Sequence, residues 1–175
     1  MRRLLLLRHA KAERSQPGGR DHDRVLEQRG RADARKIGDY LARHGFIPDR
    51  ALVSPAARTR ETWTLVAEAF QRPPAASYDE RIYEGPVQAI LKAIQDDGVE
   101  ARTLLVVGHN PSLHELAALL IAAGDVEARQ RLKEHFPTAA LAVIGLAADD
   151  WRALHPHAGR LEHFVTPKSL ETATD

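Results

Sequence analysis

Leu4-Leu5-Leu6-Leu7 is followed at once by Arg8-His9, and this abrupt change from apolar to charged residues is the sharpest feature of the pattern. An apolar run of this length without alternation describes a strand buried on both faces. The same pattern recurs in Ala51-Leu52-Val53, which ends at Ser54, and in Thr103 to Val107, which ends at Gly108-His109. Between these runs the period changes to that of helices. From Leu26 to about His44 the positions Ala32, Ile37, Tyr40 and Leu41 mark one face, and Gly45 supplies a stop. Pro55 suits a first helical turn, and Thr62, Leu65, Val66, Ala69 and Phe70 continue that helix until Pro73-Pro74. Val87, Ile90, Leu91 and Ile94 predict another helix, and Ala75 to Gly85 before it reads as connecting chain with one short extended piece.

The later part of the chain is read in the same way. Asn110 as N-cap with Pro111 at the first helical position opens a helix through about Ala123, striped by Leu113, Leu116, Ala117 and Leu120. Ala139 to Leu146 and Trp151 to Leu154 are expected to close the sheet as an antiparallel pair. Lys11 to Arg24 is a loop rich in Gly, Pro and charge, and Thr166 to Asp175 reads as a frayed tail. Strands alternating with helices predict an α/β fold, a single three-layer domain with a mostly parallel central sheet and helices on both faces. In such folds the ligand crevice lies at the carboxyl ends of the strands.

Composition narrows the chemistry. The 175 residues suit one domain, 1–175, and contain no repeat or linker that would divide it. A net charge of +1, with basic and acidic residues intermixed, argues against a nucleic-acid partner. No apolar window reaches the length of a membrane span or a signal-peptide core, so a cytoplasmic location without membrane attachment is expected. The absence of cysteine removes thiolate zinc sites and cysteine nucleophiles.

What remains at the strand ends is Arg8, His9, Arg58 and His109, residue types suited to the spread negative charge of a phosphoryl group. An imidazole that attacks phosphorus divides the transfer into two easier steps. His9 is the expected nucleophile, His109 the expected donor to a phosphoryl oxygen, and Arg8 and Arg58 the clamp on the other oxygens. Two imidazoles in one site predict two coupled titrations. Lys11, Arg24 and Arg29 are candidates for the entrance, and Asp23 for orienting Arg8 or Arg58. His155-x-His157 places two imidazoles on one face if it is a strand, but no third ligand follows, so neither a metal nor another cofactor is expected. His114 falls on the helix after His109 and reads as support for the fold.

These motifs together resemble the histidine phosphatase superfamily, with its phosphoglycerate-mutase-like fold, and within it the SixA-type phosphohistidine phosphatases. Arg8-His9, Ser54-Pro55-x-x-Arg58-Thr59-x-Glu61-Thr62 and Gly108-His109-Asn110 correspond to the three superfamily blocks. Arg8-His9-Ala10-Lys11-Ala12, Asp21-x-Asp23-Arg24-x-Leu26-x-x-Arg29-Gly30, Trp151 and Pro167 carry the SixA-type likeness. Ala10 stands where the wider superfamily usually has glycine. The resemblance implies a metal-independent phosphatase phosphorylated on His9. Its expected substrate is a phosphohistidine protein, a histidine phosphotransfer domain among the candidates. The rivals are a small-molecule phosphomonoesterase or mutase, and a phosphate-binding module without turnover. The superfamily places a general acid in the segment holding Glu80 and Glu84; Glu80 fits its Glu-Arg-x-Tyr context better, with Glu84 as rival. A phosphoramidate needs that acid less, because imidazole leaves more readily than an alkoxide.

Overall fold

The computed structural model describes residues 1–172. In chain order its elements are β1 (Arg2–Arg8), α1 (Gln28–Arg43), β2 (Arg50–Val53), α2 (Ala57–Ala67), β3 (Ala76–Tyr78), α3 (Glu80–Glu84), α4 (Val87–Asp97), β4 (Thr103–Gly108), α5 (Ser112–Leu120), β5 (Ile121–Gly124), α6 (Val126–Glu134), β6 (Leu141–Leu146), β7 (Gly159–Val165) and α7 (Pro167–Thr172). The strands form one sheet in the order β3-β2-β4-β1-β6-β7-β5. Pairing is parallel from β3 through β1 and between β7 and β5, and antiparallel on both sides of β6. The expected α/β architecture with a mostly parallel sheet is therefore present.

Central strands explain the unbroken apolar runs. Leu4 and Leu6 of β1 enter one core with Ile90 and Ile94 of α4 and Leu113 and Leu116 of α5. Leu5 and Leu7 enter the opposite core with Ile37 and Leu41 of α1 and Trp63 and Val66 of α2. Successive strand side chains point to opposite faces, so only a strand covered twice has no polar alternation. The parallel register sets Arg8 beside Gly108 and Val53 beside Val107, so His9, Ser54 and His109 emerge next to one another at the carboxyl edge.

Four expectations change. Helix α5 ends at Leu120, and Ile121–Gly124 becomes an edge strand paired with β7; a partner strand overrides the helical preference of Ala122 and Ala123. Asn110 does not cap α5: its Nδ2 donates to the Phe136 carbonyl at 2.8 Å, and Pro111 occupies the cap position. The antiparallel partner of β6 is β7, while Trp151–Ala153 forms a 3₁₀ turn that seats the buried Trp151 with its Nε1 donating to the Ala101 carbonyl. The expected frayed tail contains α7, where Thr166 and Ser169 cap each other reciprocally and Leu170 packs on the second core. The rest of that tail, 173–175, lies outside the described residues. Helices α3 and α6 arise in segments without an apolar stripe, each opened by an aspartate N-cap, Asp79 and Asp125. None of the described helices is long and apolar enough to cross a membrane.

Candidate active site

His9 leaves the end of β1 held on both sides. Its N–H donates to the Gly108 carbonyl (3.1 Å), and its carbonyl accepts from Ala139 N (3.0 Å). Ala10, fully buried, donates its N–H to Thr62 Oγ1 at 3.0 Å, which ties the chain to α2. A glycine is needed nearby at Gly30, where a Cβ would lie 2.1 Å from the Lys11 carbonyl oxygen. The His9 ring is therefore fixed from its backbone outward. Its Nδ1 lies 2.8 Å from the Ala10 carbonyl. A carbonyl only accepts, so Nδ1 carries the proton and Nε2 keeps its lone pair.

Arg58 is the second residue of α2, and His109 follows β4. The His9 and His109 rings stand 5.3 Å apart, centroid to centroid. His109 Nδ1 is 3.3 Å from Arg58 Nη2, and Nε2 is 2.7 Å from Ser54 Oγ. Since a guanidinium only donates, Nδ1 accepts and Nε2–H donates to the serine. A hydroxyl can also donate, so Ser54 remains a partner if the His109 proton moves to Nδ1. Arg8 closes the group, with Nη1 donating to the Phe136 carbonyl at 3.3 Å. The Nε atoms of both Arg8 and Arg58 are buried without a hydrogen-bond partner among the described residues. Two cationic forks with unused donors beside two imidazoles suit an anion with several oxygens.

Burial, with the charges of Arg58 and Arg8 acting in the same direction, lowers His9 from the usual 6.5 to about 4. Burial, the neighbouring His9 and Arg58 likewise lower His109 to about 3, against the opposing pull of Asp21. The two titrations expected from paired imidazoles are thus displaced far to the acid side. Both rings are neutral near pH 7, as a nitrogen nucleophile requires.

Asp21, in a 3₁₀ turn over Asp21–Asp23, is an unexpected member of the site. Its carbonyl accepts from Arg58 Nη1 (2.8 Å), and its carboxylate pairs with Arg58 Nη2 (3.0 Å) and Arg24 Nη1 (2.9 Å) and accepts from Tyr83 OH (2.8 Å). Burial pushes this carboxyl up, but the three hydrogen bonds prevail and hold it well below the usual range. Asp23 instead pairs with Arg20 at the surface, so the expected orienting role passes to Asp21. Of the expected entrance residues, Arg24 stands at the rim. Lys11 and Arg29 line a different cleft with Asp33, Thr138 and Lys168. Glu61 of the second motif is structural, accepting from Leu26 N (2.9 Å) and pairing with Arg31. His155 lies in irregular chain and His157 in a turn, neither on a strand, and His114 supports the fold by donating its Nε2–H to the Leu132 carbonyl.

The model of the histidine phosphatase superfamily (branch 1) matches residues 4–87, a span that includes Arg8, His9 and Arg58. A protein of Agrobacterium tumefaciens whose name proposes it as the phosphohistidine phosphatase SixA superposes with a TM-score of 0.80 at 32% identity, over 95% of this chain and 98% of that one. A Nakamurella protein named in the same way gives 0.82 at 30% identity, over 95% and 96%. The Mycobacterium tuberculosis protein Rv1276c is 35% identical over 93% of this chain and its own full length. The chain belongs to the histidine phosphatase superfamily, in its SixA-type group. Membership supports phosphatase activity, and the fold is the phosphoglycerate-mutase-like one.

In this histidine phosphatase neither Glu80 nor Glu84 touches the four residues. Both are exposed on α3, without a hydrogen bond or ion pair to Arg8, Arg58 or either histidine. What α3 brings to the pocket is Tyr83, whose ring stands 5.5 Å from that of His109. Burial and its bond to Asp21 push the Tyr83 phenol up to about 12.

The neutral imidazoles also set a stability profile. Above the usual histidine value of 6.5 both are unprotonated whether the chain is folded or not, and contribute no pH dependence. Between 6.5 and the depressed folded values only the unfolded chain takes up the protons, so stability falls as pH falls. At about 1.4 kcal/mol per pH unit for each group, the expected loss is roughly 4 kcal/mol from pH 7 to 5. Urea midpoints across that interval measure it; an unchanged midpoint would mean that the two rings are not buried in neutral form.

Proposed function

We propose that the protein is a metal-independent phosphohistidine phosphatase that carries the phosphoryl group transiently on His9. The observation that supports this most is the pairing of a free, neutral His9 Nε2 with a pocket whose touching carboxylate, Asp21, is locked in its ionised form. The site has a nucleophile and a clamp, but Asp21 has no proton to give. That arrangement suits a leaving group that needs none.

The donors of Arg8 and Arg58 hold the phosphoryl oxygens, and a phosphoryl group that takes over Arg58 Nη2 releases His109 Nδ1. With Ser54 donating to Nε2, His109 can then present Nδ1–H to a phosphoryl oxygen. His9 Nε2 forms a bond to phosphorus while the bond to the substrate nitrogen breaks, its electron pair going to the departing imidazole. Water next attacks phospho-His9, the N–P bond breaks, and inorganic phosphate leaves. The clamp is preorganised for the charge that develops on the transferring group. The names of the Agrobacterium and Nakamurella relatives support the same substrate.

The test is turnover of a phosphohistidine protein, a phosphohistidine peptide and several phosphomonoesters, with and without chelator. Phosphohistidine is expected to be preferred and chelator to have no effect. Preference for esters would identify a small-molecule phosphatase, and loss with chelator a metal hydrolase. Glu80→Gln and Glu84→Gln are expected to leave phosphohistidine turnover within about twofold of wild type. Loss of a required general acid typically costs on the order of 10²–10⁴. A loss of that size on phosphohistidine would make one of these glutamates essential and move the substrate towards phosphate esters.

A further inference from the structure

Asp21 does more than any other carboxylate to connect the buried clamp with the open side of the pocket. Its side chain is half exposed, whereas that of Arg58, which it pairs with, is almost wholly buried. Oδ2 accepts from Arg58 and Tyr83, and Oδ1 from Arg24. An ionised carboxylate has about four acceptor positions, so one on Oδ1 is unused. His9 and His109 are both more than nine-tenths buried and form the floor. A leaving group in line with attack from His9 must depart away from that floor, and the partly exposed residues gathered against Arg58 and His109 are Asp21, Arg24 and Tyr83.

The substrate class proposed above gives that free acceptor a partner. A phosphohistidine carries phosphorus on one ring nitrogen and, when protonated, hydrogen on the other, with a positive charge on the ring. We infer that Asp21 is a specificity-determining residue that accepts a hydrogen bond from this distal N–H, so that the site selects phosphohistidine over phosphate esters. The inference rests on the reading of the protein as a phosphohistidine phosphatase.

No proton moves in the step itself. As His9 Nε2 bonds to phosphorus, the electron pair of the breaking P–N bond stays on the ring nitrogen. The imidazolium thereby departs as neutral imidazole, its distal hydrogen in place from the start. The carboxylate favours the protonated ring at pH values where free substrate would lose that hydrogen. An ester presents the reverse case. Its leaving oxygen gains negative charge beside a fixed anion that can neither donate nor neutralise it. Attraction for one substrate and repulsion of the other are the two components of selectivity.

The experiment compares kcat/KM for a phosphohistidine peptide and for phenyl phosphate in wild type, Asp21→Asn and Asp21→Ser. Removing one partner of a charge-assisted hydrogen bond is expected to lower the phosphohistidine-to-ester ratio about 10- to 100-fold in both variants. A carboxylate that only holds Arg58 in place would reduce both activities together, and an unchanged ratio, or loss of both activities, would overturn the role given to Asp21. Wild type that turns over phenyl phosphate but not phosphohistidine, or neither, would overturn the substrate reading and this inference with it. Wild type active on phosphohistidine with an unchanged ratio in the variants would overturn the inference alone.

Discussion

His9→Ala is expected to lower phosphohistidine turnover by a factor on the order of 10⁴ or more, the usual cost of deleting a covalent nucleophile. The variant should also take up no radiolabel from phosphorylated substrate, whereas wild type trapped by rapid acid-free quench should. The reason lies in the lone pairs of the site. His9 has Nδ1 committed to the Ala10 carbonyl and Nε2 without a hydrogen-bond partner among the described residues. His109 has both nitrogens engaged, one by Arg58 and one by Ser54. Ser54 and Thr62 are fully buried and hydrogen-bonded, which leaves them unsuited to substitute. Because Arg8, Arg58 and His109 remain, His9→Ala should still bind inorganic phosphate. Label retained in His9→Ala would show that another side chain accepts the phosphoryl group.

The convergence of Arg8, His9, Arg58 and His109 was legible in the chain because each ends or soon follows a strand whose apolar run has no polar break. Leu4 to Leu7 and Leu104 to Val107 can be buried on both faces only in the middle of a sheet, and parallel register then brings Arg8 and His109 to one edge. Asp21 and Asp23 had no such marker. They lie two residues apart in one 3₁₀ turn, and the turn's seating against Arg58 and Tyr83 makes one a pocket residue and the other a surface ion pair. Ser54 stood in the second motif without a visible role, which comes from the adjacency of β2 and β4. The end of the sheet beyond β6 was the least legible. Ile121–Gly124 and Gly159–Val165 pair with each other, and neither segment contains the other's pairing preference.

Arg58→Ala is expected to lower kcat/KM by on the order of 10²–10³, the range for losing one preorganised charge-stabilising donor group, with a rise in KM and a fall in kcat together. Arg58 contributes to both because its fork contacts the anion in the bound state and the charge redistributed in transfer. Removing it also takes from the Asp21 carboxylate its buried cationic partner and leaves it only Arg24 and Tyr83, so that its charge at the pocket edge repels the phosphoryl oxygens more strongly. Arg58 is one of the charges that hold both imidazoles down, so the acid limb of the rate profile should move towards neutrality in the variant. Arg58→Lys keeps the charge but not the planar fork that meets Asp21 through two nitrogens and His109 through one of them. It should recover part of the shift in the acid limb and little of the rate. Kinetics of both variants from pH 4 to 8 separate these contributions. Wild-type kcat/KM in Arg58→Ala would remove Arg58 from the clamp, and full recovery in Arg58→Lys would show that charge alone, without the geometry of the fork, is what the site requires.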